Sequence, residues 1–232
     1  MILGNIEGVI ILTLMLQRNI FELMKRLIVV ILVLAAVAGG YFFWKKWRLT
    51  QPPPSGAVDM AYPLKDGEYE IIQSGRFFKI HTAENEKFAM DIVKHAQFNS
   101  WFQYRKSGLE SDSSYGVPVY SPCRGIVKKV TSNYKDMPIG IVGSAFEANS
   151  MLIGCDGFNV SLIHFKERSA KVQEGDLVDV GQIIAEIGNS GKSYGPHLHI
   201  AAYTVNPQTN QPTNIPITFN GRYFYRGESF TN

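Results

Sequence analysis

The chain has 232 residues, of which 45% are hydrophobic and 21 are glycine, and its formal net charge at pH 7 is +3. This length corresponds to one domain of ordinary size with additional segments, and the hydrophobic fraction suffices for a buried core. The small net charge, with no basic cluster interleaved with aromatic residues outside the flanks of the apolar N-terminal run, excludes a nucleic-acid-binding protein.

An uncharged apolar run of 18 residues, 27–44, is the first recognisable element. As a helix rising about 1.5 Å per residue, it crosses most of a roughly 30 Å hydrocarbon core. Basic residues flank the run on both sides, and aromatic residues close it where a membrane interface is expected. We therefore predict an uncleaved transmembrane signal anchor over residues 24–48. A cleaved signal peptide is the alternative, but the small-residue cleavage pattern is poor.

Two further segments frame this anchor. Residues 1–23 are predicted as an uncertain N-terminal extension, because Met24 followed by two basic residues and the apolar run forms a complete export signal by itself. The start therefore lies at Met1 or Met24. Residues 49–62 are predicted as a proline-rich linker, because three consecutive prolines at 52–54 stop a helix. Residues 63–232 remain for the folded domain.

Short runs rich in β-branched and aromatic residues, separated by turn residues, follow the linker. Many short strands at this spacing, with no amphipathic helix among them, predict an all-β sheet or sandwich domain behind the single N-terminal helix. The predicted strands cover residues 69–72, 76–80, 88–93, 117–120, 125–130, 150–153, 159–164, 182–187, 197–205 and 215–219.

The two cysteines, Cys123 and Cys155, are too few and too far apart for a structural zinc site made of paired cysteines. Each cysteine stands beside a turn. If residues 125–130 and 150–155 form adjacent antiparallel strands, the two thiols lie opposite each other. We therefore predict a Cys123–Cys155 disulfide in a domain outside the cytoplasm, with two free thiols as the alternative.

His197 and His199 stand one residue apart at the start of a predicted strand, after a turn rich in glycine and serine. Alternation along the strand puts both imidazoles on one face and Leu198 and Ile200 on the other. Two such imidazoles can share a metal ion, or one can bind it while the other handles protons. Two surface histidines at a strand edge are the alternative.

Asp91 lies within residues 88–93, a run apolar enough that a lone carboxylate needs a partner. A cation bound by His199 is one such partner, and a salt bridge to Lys87 or Lys94 is the alternative.

His164 ends a predicted strand and by alternation shares a face with Val160 and Leu162. Taken alone, this pattern is typical of a hydrogen-bonded histidine in the core or at its rim.

Several short motifs occur in a fixed order along the domain. They are residues 116–122 (GVPVYSP), 125–127 (GIV), 160–165 (VSLIHF), 172–184 (VQEGDLVDVGQII), 188–191 (GNSG) and 195–199 (GPHLH). In order and spacing, this series resembles the lysostaphin/LytM-type zinc endopeptidases, which cut peptidoglycan peptides. The resemblance covers approximately residues 63–225.

This resemblance implies a β domain of the duplicated-hybrid-motif kind that binds one Zn²⁺ ion. By the same resemblance, Asp91 and His199 are metal ligands. His164 and His197 are implied to flank the reacting water, one assisting its deprotonation and the other stabilising the oxyanion. Zinc chemistry suits these residues, because neutral imidazoles take or steer protons near pH 7.

The first metal-binding motif departs from the family pattern. The common form is HxxxD, but Lys87 stands four residues before Asp91, and an ammonium group cannot bind zinc. The nearest upstream histidine is His81, as in family members whose histidine lies further upstream. We therefore expect His81 as the third ligand, with His95, four residues after Asp91, as the fallback.

The sequence thus predicts a membrane-anchored zinc endopeptidase that acts on the peptide stems or cross-bridges of peptidoglycan, with its catalytic domain on the extracytoplasmic side. The H-E-x-x-H motif of many other zinc peptidases is missing from the sequence, which fits histidines as the proton-handling groups. Two alternatives remain: an inactive domain of the same fold that serves as a regulatory or wall-binding scaffold, and a zinc peptidase with a protein substrate.

Overall fold

The structure is a computed structural model that describes residues 3–49, 52–74, 86–95, 108–206 and 208–232. The chain divides into two compact units, Met1–Pro52 and Pro53–Asn232. Among the predicted features, the strand at residues 76–80 and the metal ligand His81 lie outside the described residues.

The first unit is one α-helix, α1 (Leu3–Leu49). Its segment Leu14–Trp44 is long and apolar enough to cross a membrane, and it lies near the N-terminus, where a signal sequence has the same properties. Apolar side chains along it, such as Leu32 and Phe42, are exposed. The helix begins well before the predicted apolar run because residues 3–26 contain no proline, and Glu22 and Lys25 form an ion pair of 2.9 Å one turn apart.

The second unit is built from β-strands. Its main sheet has the strand order β13-β2-β3-β10-β7-β6-β5-β8, and β11 pairs with β10 beside it. Two small sheets, the parallel pair β1 and β12 and the antiparallel pair β4 and β9, complete the described part. The strands are β1 (Val58–Met60), β2 (Glu68–Ser74), β3 (Met90–Lys94), β4 (Pro118–Tyr120), β5 (Gly125–Thr131), β6 (Ser150–Gly154), β7 (Asn159–Ile163), β8 (Leu177–Val178), β9 (Ile183–Glu186), β10 (Leu198–Val205), β11 (Pro212–Ile215), β12 (Ile217–Phe219) and β13 (Ser229–Thr231).

The predicted fold class, an all-β domain with one N-terminal apolar helix, is confirmed. Three strands escaped prediction, namely β1, β8 and β13, because two or three residues are too few to show an alternating pattern. The run predicted as one strand at 215–219 is β12 preceded by Ile215, the last residue of β11, and Pro216 separates the two strands; residues 212–214 of β11 were not predicted. This proline has no N–H to donate, and its carbonyl accepts a hydrogen bond of 2.9 Å from Val58 N instead.

Three neighbouring strands in the main sheet separate the core from the candidate site. Ile92 of β3, Leu198 and Ile200 of β10 and Leu162 of β7 are fully buried in the hydrophobic core. Because successive side chains of a strand point to opposite faces, Asp91 and His199 face away from that core. These three strands therefore present apolar side chains to the core on one face and polar side chains on the other face, at the centre of the sheet.

The predicted disulfide is present between Cys123 and Cys155, whose Cα atoms are 6.1 Å apart. Strands β5 and β6 pair in antiparallel fashion with Ile126 opposite Gly154. This pairing brings Cys123, two residues before β5, next to Cys155, the residue after β6, as the sequence predicted.

We expect reduction of this disulfide to lower the free energy of unfolding by roughly 4 kcal/mol, because the bond closes a loop with a sequence separation of 32 residues. Urea unfolding with and without a reductant measures the difference, and mass analysis after thiol alkylation counts the free cysteines. Two alkylated cysteines in protein exported to an oxidising compartment would contradict the assignment.

Candidate metal and catalytic site

The pairing of β3 with β10 creates the centre of the site. His199 lies directly opposite Asp91 in the antiparallel register, and both side chains are buried. The Asp91 Oδ1 atom is 2.8 Å from His199 Nδ1 and 3.8 Å from His197 Nε2. The imidazoles thus supply the partner that a carboxylate in an apolar strand requires.

His197 lies just before β10 and is held by the loop that leads into the strand. Its Nδ1 is 2.8 Å from the carbonyl oxygen of Gly195 and 3.2 Å from the hydroxyl oxygen of Ser193. Because a carbonyl oxygen only accepts hydrogen bonds, Nδ1 carries the proton. In the neutral ring, Nε2 is then the unprotonated nitrogen, and this atom faces Asp91.

His164 reaches the site through a break in the alternation of β7. Leu162 and Phe165 are both buried in the core, so the chain between them contains one residue more than alternation allows. The backbone N–H groups of His164 and Phe165 both donate to the carbonyl of Asn149, at 3.0 and 3.2 Å. His164 and Phe165 therefore lie opposite the single residue Asn149, which is the arrangement of a β-bulge. The backbone φ of His164 is 72°, in the left-handed region.

This bulge corrects the prediction that His164 shares the core face with Val160 and Leu162. The ring of His164 instead lies 4.6 Å from the ring of His197 and 6.0 Å from that of His199, measured between centroids. The prediction failed because simple alternation does not anticipate an extra residue. Three histidines and one aspartate consequently meet on one face of the sheet.

The His164 ring is fixed by a hydrogen bond of 2.7 Å from Nδ1 to the carbonyl oxygen of Ser190. Burial, followed by the proximity of His197 and His199, lowers the pKa of His164 to about 3. The ring is therefore neutral at pH 7. As in His197, Nδ1 carries the proton and Nε2 has the free lone pair.

The loop before His197 is anchored by Asp136. One carboxylate oxygen of Asp136 accepts a hydrogen bond of 2.7 Å from Asn189 N, and the other accepts from the Tyr115 hydroxyl at 2.9 Å. Gly188 packs so closely against the backbone of Lys166 that a Cβ atom at this position would collide with it. The residue type at position 188 is thus set by this close approach.

The remaining candidate ligands have different positions. His95 is exposed at the end of β3, with Nδ1 3.8 Å from Glu70 Oε2, so the fallback ligand does not join the other histidines. His81 lies outside the described residues. Within the described part of the chain, no group of three or more His, Cys, Asp or Glu residues is arranged to hold a metal ion.

Residues 104–214 match the model of Peptidase family M23. The resemblance to the lysostaphin/LytM-type peptidases is thereby confirmed, and the matched segment includes His164, His197 and His199. No curated protein matches the chain.

Solved structures of several peptidases are similar to this chain. A zinc-containing peptidase from Vibrio cholerae has 20% identity over 68% of this chain and 39% of its own, with a TM-score of 0.38. A mutant catalytic domain of the prophage-encoded M23 protein EnpA from Enterococcus faecalis has 18% identity over 66% of this chain and 93% of its own, with a TM-score of 0.42. The lysostaphin catalytic domain from Staphylococcus simulans has 17% identity over 63% of this chain and 86% of its own, with a TM-score of 0.36. The chain thus spans about two fifths of the Vibrio cholerae protein.

The chemistry of Asp91 and His199 suits a zinc ion. Zinc binds carboxylate oxygen and imidazole nitrogen at about 2.0–2.2 Å, so two ligands of a tetrahedral ion lie about 3.3 Å apart. The observed separation of 2.8 Å between Asp91 Oδ1 and His199 Nδ1 is about half an ångström shorter.

Three residues that support the site were not predicted from the sequence. Asn149 and Asp136 lie in loops, where no periodicity marks a residue as buried, and Ser190 lies inside the quoted motif GNSG without a role of its own. No sequence signal distinguishes these three residues from other polar residues in loops.

The left-handed conformation of His164 makes a specific prediction for stability. Replacing His164 by glycine or alanine removes the same ring, but only glycine adopts φ 72° without strain. We therefore expect His164→Gly to be more stable than His164→Ala by about 1 kcal/mol in urea unfolding. Ser161 lies in the extended part of β7 and serves as the matched control. There we expect the opposite order, with Ser161→Ala more stable than Ser161→Gly by about 0.5–1 kcal/mol in urea unfolding. The same order at both positions would contradict the bulge.

Proposed function

We propose that this chain is a membrane-anchored zinc endopeptidase that hydrolyses peptide bonds in peptidoglycan stems or cross-bridges. The observation that carries the proposal is the meeting of Asp91, His164, His197 and His199 on one face of the sheet, within or next to the segment that matches the peptidase family. Asp91 and His199 would hold the metal, with His81 as the third ligand. When bound, zinc supplies a Lewis acid that polarises the peptide carbonyl and lowers the pKa of water.

His164 and His197 would manage the protons of the reaction. Both rings keep their proton on Nδ1, bound to a backbone carbonyl, and the lone pair of each neutral ring is then on Nε2. A proton taken from the attacking water onto Nε2 of either ring can return to the oxyanion or to the amine that leaves. Holding each ring from its Nδ1 side keeps Nε2 directed into the site.

The location of the reaction follows from two features of the chain. A candidate membrane span precedes the domain, and disulfides such as Cys123–Cys155 persist in oxidising compartments outside the cytoplasm. We propose that α1 is an uncleaved anchor and that the catalytic domain lies on the extracytoplasmic side, where the cell wall is.

The experiment that tests this proposal incubates the full chain, in detergent and loaded with zinc, with purified cross-linked peptidoglycan. Mass spectrometry of the products should reveal new amino and carboxyl ends. We expect His197→Ala to lower kcat by about 10²–10⁴ fold while zinc remains bound, because it removes a proton-handling group. His95→Ala, a histidine outside the site, is the matched control and should retain full activity.

A folded, zinc-loaded chain that binds peptidoglycan but releases no new ends would contradict the endopeptidase and favour the scaffold. Cleavage of unfolded proteins in place of wall peptides would identify a peptidase with a protein substrate.

A further inference from the structure

Asn149 is a buried residue that connects His164 to the loop before His197. It stands immediately before β6 and is fully buried. Its carbonyl accepts the N–H groups of His164 and Phe165, and its own N–H donates to Ser190 Oγ at 3.0 Å. Asn149 is therefore bonded to the bulge on one side and to the loop on the other.

The side chain of Asn149 also forms hydrogen bonds on both sides. Its Nδ2 donates to the carbonyls of Tyr134 and Phe165, at 2.7 and 3.1 Å, and its Oδ1 accepts from Tyr134 N at 2.9 Å. These bonds fix the side chain between two backbone segments. A fully satisfied buried amide of this kind strongly restricts the backbone around it.

Ser190 completes the connection to the His164 ring. Its hydroxyl donates to the carbonyl of Phe165 at 2.8 Å, and its carbonyl accepts the Nδ1–H of His164 at 2.7 Å. Ser190 is fully buried, so water cannot replace these partners. The residues that stabilise the bulge thus also hold the ring that the bulge presents.

We propose that Asn149 and Ser190 are positioning residues for catalysis: together they hold His164 in its left-handed conformation and fix its proton on Nδ1, so that the lone pair of Nε2 is directed into the site. This inference rests on the proposed function for its catalytic consequence. Its structural part, the position and tautomer of one histidine, requires neither metal nor substrate. Asn149 and Ser190 do not touch the reacting atoms and act only through His164.

The test uses the full chain in detergent, labelled with ¹⁵N in its histidines, and long-range ¹H–¹⁵N correlation spectra. The signals of His164 are assigned by their loss in His164→Gln. In the wild-type chain they should show a neutral ring protonated at Nδ1. In Ser190→Ala and Asn149→Ala we expect them to shift towards a mixture of tautomers, with kcat lowered by about 10- to 100-fold, KM changed less than about twofold, and zinc content retained.

Ser121→Ala is the matched control. Ser121 is also fully buried and also donates its hydroxyl to a backbone carbonyl, that of Cys123 at 2.7 Å, but it makes no contact with the site. It should lose comparable stability while leaving the His164 signals and kcat unchanged. Thermal unfolding of each variant identifies any chain that does not fold, and Ser190→Ala, which removes fewer hydrogen bonds than Asn149→Ala, is the milder change.

Unchanged His164 signals in both folded variants, or an equal shift in Ser121→Ala, would overturn the inference. An inactive wild-type chain whose His164 tautomer still depends on Ser190 would contradict the proposed endopeptidase and support the positioning role. An active chain whose kcat falls in Ser190→Ala without any change in the His164 signals would support the proposed endopeptidase and contradict the positioning role.

Discussion

The register between β3 and β10 is the constraint on which the candidate site depends. It puts Asp91 directly opposite His199, so that a carboxylate buried in an apolar strand meets an imidazole at 2.8 Å. A shift of one residue would move either side chain to the other face. The apolar residues on the opposite face, among them Ile92, Leu198 and Ile200, would then leave the core, and their burial therefore stabilises the register that the chemistry requires.

The second constraint is the bulge at His164. A regular strand would direct this residue into the core beside Leu162, but the extra residue turns its ring to the polar face and returns Phe165 to the core. The bulge is costly, since a non-glycine residue in the left-handed region is strained. The hydrogen bonds of Asn149 and Ser190 offset that cost. Strain compensated by a buried polar network is common where a side chain must hold one orientation.

The alternation of residues within single strands and the order of motifs along the chain were sufficient to predict part of the fold and part of the candidate site. Alternation predicted His197 and His199 on one face of a strand, and the apolar surroundings of Asp91 required a partner. The turns beside Cys123 and Cys155, with an assumed antiparallel pairing of the two adjacent strands, predicted the disulfide. Long-range features were not predictable in the same way. The opposition of Asp91 and His199 joins residues separated by 108 positions, and the bulge at His164 depends on Asn149, which belongs to another strand connection. The identity of the third ligand, His81, remains a prediction.

The central claim is that Asp91 and His199 form part of a zinc site, and the zinc content of the purified full chain tests it most directly. The chain should be prepared without chelator, and zinc should be measured per folded chain in the wild type, in Asp91→Ala and in His199→Ala. We expect about one zinc per chain in the wild type and a large loss in both variants. A folded wild-type chain that contains no zinc and takes up none when it is offered would contradict the account.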